Sequence, residues 1–344
     1  MRMRPQGRIP SIGEPMSKSS GRGFRRWLPI TPPPASRPQP AENRSEALAR
    51  FEALCAADDE RVGESTRTQL FEPEGEAKAT IVAWHGFTNA PSQFVAVAAA
   101  LAEQGYRVLV PRQPYQGFTD VLNRSLAELT AQDLVAHVDT CIDIAAGFGD
   151  PVWVVGLSAG GVLAAWAATN RTEVRRAILL APLLAPKGVP MPAVRMLVKF
   201  PRIVPRIYYW WDPRVKENLG HSPHAYPGFP VPGLMPYLQL SEAMFDAGTA
   251  HQLTRMVLVS NPNDFAIRRD AARAFATGVF AGHSDYYGEA TVDSALGWWH
   301  DFVDPWSPHR GTTEQVVAVL LAGFGVDDPT ADGLLVPPLV QRQP

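Results

Sequence analysis

The sequence predicts an α/β fold: a mostly parallel central sheet with helices on both faces and one inserted segment. Three observations predict it. Short apolar runs alternate with helical segments along most of the chain. Each run is continuously apolar, as strands buried on both faces are, rather than alternating with polar residues. One of them, Val152-Trp153-Val154-Val155, leads directly into Gly156-Leu157-Ser158-Ala159-Gly160 and then a helix.

In order, residues 1–41 are rich in Pro, Arg and Ser and too poor in apolar residues to bury a core, so a disordered basic leader is expected there. After Arg25-Arg26 comes Thr31-Pro32-Pro33-Pro34 and no apolar h-region, which argues against an export signal and for a cytoplasmic protein; Met16 is an alternative start. A helix is expected from Asn43 to about Ala57, with Leu48, Phe51 and Leu54 on one stripe, then a strand over Ser65–Phe71. Strand Ala79–Trp84, loop His85–Asn89 and a helix from Pro91 to Glu103 stopped by Gly105 follow. Next come strand Tyr106–Pro111, helix Leu126–Ala146, strand Val152–Val155, helix Gly160–Thr169 and strands Arg176–Ala181 and Arg255–Ser260. A last strand over Ala290–Leu296 and helix Thr313–Gly323 close a core expected over 42–181 and 255–326, with 327–344 as a C-terminal tail. The proline-rich insertion at 182–254 follows a strand, which puts it at the carboxyl edge of the sheet where open α/β folds bind ligands, as a cap.

The 344 residues are 46% hydrophobic and 19% charged, an ordinary globular composition with enough chain to bury a sizeable core. Net charge is −2, yet residues 1–40 carry eight Arg or Lys against Glu14, so the body is acidic. That excludes a nucleic-acid-binding body and leaves the leader as an electrostatic contact for anionic lipid. Cys55 and Cys141 lack metal-ligand spacing and read as reduced thiols, and no apolar run is long enough to span a bilayer. His221 and His224 have no Cys or acidic partner at ligand spacing, so neither a metal site nor a cofactor is expected.

A serine on a sharp strand-to-helix turn projects clear of the sheet, and the residues two before and two after must be small because their backbones nearly collide; Gly156 and Gly160 meet that demand. Ser158 needs a base to take its proton, and the base needs an acid to orient it. After Ala181 no carboxylate appears until Asp212, inside the insertion, whereas Asn261-Pro262-Asn263-Asp264 follows Ser260 directly. Asp264 is therefore the candidate acid, ahead of Asp270, which falls inside the next helix; the competing role for Asp264 is a helix cap. His300, directly after the last strand, is the candidate base, ahead of His283 and His309; His137 lies on a helix, and His221, His224 and His251 belong to the insertion. An oxyanion over Ser158 needs two donors, and the Phe87 and Ala159 N–H groups are the candidates, with His85 a packed residue under that loop.

His85-Gly86-Phe87, Gly156-Leu157-Ser158-Ala159-Gly160, Asp264 and His300, in that chain order over about residues 65–325, resemble the α/β-hydrolase superfamily. The insertion is similar to the cap of its carboxylesterase and monoacylglycerol lipase branch. Where that branch has Asp-x-x-Gly-x-Gly, this chain has Pro114-Tyr115-Gln116-Gly117. The expectation is a metal-independent serine hydrolase acting on a small-molecule ester through an acyl-enzyme; a thioesterase, an amidase or peptidase, an acyltransferase and a non-catalytic binding protein are the alternatives. Met196-Leu197-Val198 and Tyr208-Tyr209-Trp210-Trp211 would line an apolar or aromatic substrate site, with Tyr208, Trp210 and Trp211 as the substrate-binding candidates. Arg195, Lys199, Arg202 and Arg206, interleaved with those groups, suit a lipid surface equally well.

Overall fold

Continuous burial dictates the strands. In the computed structural model, which describes residues 35–200, 203–218, 222–246, 252–282, 287–292, 299–307, 312–326 and 335–336, every residue of β2 (Thr80–Trp84), β3 (Arg107–Val110) and β4 (Val152–Leu157) is buried. With β1 (Gln69–Phe71), β5 (Val174–Leu180), β8 (Arg255–Ser260), β9 (Tyr287–Val292) and β10 (Leu335–Val336) they form an eight-stranded sheet in the order β1-β3-β2-β4-β5-β8-β9-β10. The six inner strands are parallel, and β1 and β10 close the two edges antiparallel. The chain leaves β2 to one side for β3 and returns to its other side for β4, so strand order reverses at β2. Ligand crevices open at the carboxyl ends of strands at such a reversal.

The helices are α1 (Arg44–Ala56), α2 (Ser92–Glu103), α3 (Ala131–Gly147), α4 (Ala159–Asn170), α7 (Arg269–Phe280) and α8 (Thr313–Phe324). α2 packs with α8, and α3 with α4, each pair also touching the sheet. α4 is buried along nearly its whole length, which explains its lack of a polar stripe. The helix expected over 126–146 instead begins at Ala131, because Thr130 and Asp133 form a capping box; residues 125–128 make a separate 3₁₀ turn. The strand expected over 65–71 is likewise shortened to 69–71 by a 3₁₀ turn at 64–66.

The insertion follows β5. It holds α5 (Met191–Lys199), the hairpin of β6 (Tyr208–Trp210) with β7 (Gly228–Pro230), and α6 (Met235–Asp246), which packs on α4.

Both chain ends differ from expectation where they are described. Residues 1–34 of the basic leader lie outside the described residues, but 35–41 are docked, not loose. Ser36 Oγ and Arg37 N–H donate to the Asp139 carboxylate, Gln39 N–H donates to Asp143 Oδ1 at 3.0 Å, and Ala41 is buried. Those two carboxylates also receive the fully buried Arg171, whose guanidinium lies 3.2 Å from Asp139, 2.5 Å from Asp143 and 2.7 Å from Glu173. In the tail expected over 327–344, Leu335–Val336 pair with β9, since a parallel sheet's last strand leaves an edge that an antiparallel segment satisfies. The last core strand runs over 287–292, earlier than the expected 290–296, and 293–298 lie outside the described residues. Among the described residues no helix is long and apolar enough to cross a membrane.

Candidate active site

Backbone strain gathers at the carboxyl rim. Thr88, Tyr115, Ser158 and Ala181, in the loops after β2, β3, β4 and β5, have φ of 63, 64, 57 and 39°. Non-glycine residues in this region cost energy and persist where the surroundings hold them, which is common at functional sites. At Ser158 two glycines do the holding. A Cβ on Gly156 would lie 2.0 Å from the Gly160 carbonyl oxygen, and one on Gly160 would lie 2.1 Å from that of Trp84. Ser158 N–H donates to Leu180 O at 2.9 Å, and its carbonyl accepts from Leu183 N–H at 2.9 Å, tying the turn to the end of β5.

Asp264 and His300 come together from the ends of different strands. His300 Nδ1 lies 2.6 Å from Asp264 Oδ2. Asp264 Oδ1 accepts from the Ala266 and Ile267 N–H groups at 2.7 and 3.1 Å, so the carboxylate serves both as the cap of the following turn and as the partner of the imidazole. The Asn261 amide donates to Trp299 O at 2.7 Å, fixing the backbone beside His300, and Phe265 meets the imidazole edge-on at 6.3 Å. Burial works against charge on the Asp264 carboxyl, but the imidazole charge and three hydrogen bonds outweigh it and hold its pKa below 3.8. Burial likewise pulls the His300 pKa down; the Asp264 carboxylate and the charge of Asp301 outweigh it, and the result lies above 6.5. His300 Nε2 is buried without a hydrogen-bond partner among the described residues, Ser158 included. Ser158 and His300 both line one cavity of about 400 Å³.

The loop after β2 supplies Phe87. Its neighbours' N–H groups are occupied: Gly86 N–H by Gln93 Oε1 at 2.6 Å, and Thr88 N–H by Gln116 Oε1 at 2.7 Å. The Phe87 N–H, like the Ala159 N–H at the first position of α4, has no acceptor among the described residues. Beneath the loop, His85 Nδ1 faces Gly86 O at 2.9 Å and Nε2 accepts from Gln113 N–H at 3.2 Å; burial takes its pKa down to about 4, so the ring is neutral. His137, also buried with a pKa of about 3, accepts from Trp84 Nε1 at 3.2 Å. His224, in the insertion, lies 3.4 Å from Ser65 Oγ, while His221, His251, His283 and His309 fall outside the described residues.

The cavity wall is chiefly apolar, with Leu183, Val194, Leu197, Leu234 and Leu238 from the insertion and Phe265 from the loop after β8. Of the aromatic candidates only Trp211 lines it; Tyr208 and Trp210 do not. Alternate residues of a strand face opposite ways, so Tyr209 and Trp211 share the cavity side. Tyr208 packs against Trp210 with centroids 4.8 Å apart and the rings tilted by 60°, with Arg124 over the Tyr208 ring and Lys216 over the Trp210 ring.

Sequence reasoning missed four polar residues here. Gln93 Nε2 donates to Asp301 Oδ2 at 2.5 Å, so one glutamine spans from the Phe87 loop to the neighbour of His300, and Asn89 Nδ2 donates to Asp304 Oδ2 at 2.8 Å as a second link. Glutamines and a second acidic pair carry no spacing signature; Gln116 alone had one, in the Pro114-Tyr115-Gln116-Gly117 departure.

A family model described as serine aminopeptidase, S33, matches residues 75–255, more than half of the chain. No curated protein sequence matches. Among solved structures the chain is similar to a metagenome-derived lipolytic enzyme of the LipS and LipT pair, with 18% identity over 77% of this chain and 100% of that one and a TM-score of 0.57. It is also similar to the monoacylglycerol lipase of Paleococcus ferrophilus, at 16% identity over 74% and 98% with TM-score 0.54. A monoglyceride lipase of Saccharomyces cerevisiae shares 13% identity over 74% and 89%, TM-score 0.51. At these identities the structural likeness establishes the fold. Sheet order, elbow and family match agree, and the chain belongs to the serine aminopeptidase S33 family of α/β hydrolases.

Proposed function

We propose that the protein hydrolyses carboxylic esters through an acyl-enzyme, with the segment 182–254 acting as a cap over the site. Ser158 Oγ attacks the ester carbonyl while His300 Nε2 takes its proton; the tetrahedral oxyanion is held by the Phe87 and Ala159 N–H groups. The proton passes from His300 to the leaving alkoxide, the C–O bond breaks, and Ser158 carries the acyl group. Water then repeats the sequence, leaving the acid and the free serine. Asp264 holds the imidazole with Nε2 towards the cavity and offsets its transient charge. The observation that carries this reading is the 2.6 Å contact of His300 with Asp264, which leaves an unpartnered Nε2 in the wall of the cavity that Ser158 also lines. The apolar wall favours an acyl chain or aromatic group.

A second reading, hydrolysis of an N-terminal peptide bond, is favoured by Asp301 and Asp304, carboxylates in the cavity wall that pair with no lysine or arginine among the described residues. Against it, their oxygens already accept from Gln93, Asn89 and the backbone N–H groups of Val303, Asp304 and Trp306. Nitrophenyl esters of increasing acyl length, assayed beside aminoacyl nitroanilides with wild type and Ser158→Ala, separate the two. Ester turnover abolished by Ser158→Ala, with no anilide turnover, is the expected result; ester turnover that survives the substitution overturns the mechanism.

A further inference from the structure

We infer that the insertion forms a structural part of the oxyanion hole, setting the direction of the Phe87 N–H through Thr88, Gln116 and Tyr237. The inference rests on the ester-hydrolase reading above.

Thr88 is β-branched, and φ of 63° is a conformation such residues rarely adopt, so it must be held. Each of its polar groups is engaged. Its N–H donates to Gln116 Oε1 at 2.7 Å, its carbonyl accepts from Tyr226 N–H at 2.7 Å, and Oγ1 accepts from Trp211 Nε1–H at 3.0 Å while donating to Phe87 O at 2.6 Å. Tyr226 and Trp211 belong to the insertion. The Phe87 ring sits edge-on between two more insertion residues, with centroids 4.9 Å from Phe229 and 5.5 Å from Tyr237.

Tyr237 also orients Gln116. Its hydroxyl donates to Gln113 Oε1 at 2.6 Å and accepts from Gln116 Nε2 at 3.1 Å. With its NH2 so directed, Gln116 presents its oxygen to Thr88. Neither Gln116 nor Tyr237 lines the cavity; they hold the Phe87–Thr88 peptide, and their effect on substrate passes from it through the Phe87 Cα to the adjoining peptide that carries the Phe87 N–H. A contact chain thus runs from α6 through Tyr237, Gln116 and Thr88 to Phe87. The Gln116 position, where the resembling branch has a different pattern, acquires its purpose in this chain.

If these are positioning residues, their loss falls on the transition state and leaves ground-state binding intact. The test uses Tyr237→Phe, which keeps the ring packed on Phe87 and removes the hydroxyl, and Thr88→Gly, which suits a positive φ and removes the Oγ1 anchor. Removing an oxyanion donor outright costs about 10²–10³ in kcat, so misdirecting one is expected to lower kcat about 10- to 100-fold in each variant. KM for a nitrophenyl ester is expected to stay within about threefold, the mark of an interaction made only in the transition state. Inhibition by a trifluoromethyl ketone, whose adduct with Ser158 carries the tetrahedral oxyanion, should weaken by the factor that kcat/KM loses. A folding defect would not produce that proportionality, and Thr88→Gly is expected to melt close to wild type. Unchanged kcat in both variants, or a loss confined to KM, overturns the inference while Ser158-dependent turnover in wild type leaves the ester-hydrolase reading standing. Wild-type turnover that survives Ser158→Ala overturns both.

Discussion

Replacing Asp264 by Asn probes the base more sharply than deleting the carboxylate. Oδ1 of Asp264 accepts two backbone N–H groups, and Oδ2 faces His300 Nδ1 at 2.6 Å. In the amide the oxygen must stay with the N–H pair, because turning NH2 towards them sets donors against donors, at about 1–3 kcal/mol for each buried group left unsatisfied. The NH2 then faces Nδ1, which must accept, so the ring proton moves to Nε2. That is the nitrogen required to take the Ser158 proton. In a triad this tautomer error lowers kcat about 10⁴-fold, or about 5.4 kcal/mol at 1.36 kcal/mol per decade. Saturation kinetics on a nitrophenyl ester measure the loss, with a thermal melt to establish that Asp264→Asn folds. A folded variant within tenfold of wild-type kcat would refute the assignment of Asp264 and the tautomer argument together.

Because only the neutral imidazole can act as base, activity is lost as pH falls through the His300 pKa. Its upward displacement puts the acid limb of kcat/KM above pH 6.5, and Asp301→Asn, which removes one of the raising charges, is expected to move that limb down in a pH–rate profile. Gly160→Ala drives a methyl group into the Trp84 carbonyl, an overpacking that costs about 1–3 kcal/mol or more, so its melting temperature should fall by several degrees; a wild-type melt would contradict the collision geometry. Arg171→Met leaves Asp139, Asp143 and Glu173 without their shared counter-charge, a loss of about 3–5 kcal/mol in urea denaturation, with KM unchanged because none of the four lines the cavity.

Strands were legible because burial on both faces writes itself as uninterrupted apolar runs, and the turn at Ser158 because two glycines are forced by backbone collisions. Asp264 and His300 could be chosen by their place after strands, and they lie in contact. The glutamines could not. Gln93 and Gln116 act through geometry, accepting one N–H each from the Phe87 loop; nothing in its spacing marks Gln93, and only the departure at 114–117 marks Gln116. The docking of residues 35–41 was hidden for another reason: it depends on backbone N–H groups meeting the carboxylates of Asp139 and Asp143, about a hundred positions away. Thr130 and Asp133 form the capping box that starts α3 at Ala131, whereas apolar content alone extends the helix back to Leu126.

The hairpin strand that carries Tyr208 through Trp210 decides by parity which of its rings join the cavity wall. One set of rings faces in, the next set out, and the two sets are adjacent in the chain. Substitution can therefore trim this part of the wall one ring at a time, but a single-residue insertion or deletion ahead of Ile207 would exchange the set, offering Tyr208 and Trp210 to the substrate in place of Tyr209 and Trp211. Abrupt shifts in what such an enzyme accepts are thus within reach of one indel, with the Ser158 turn untouched.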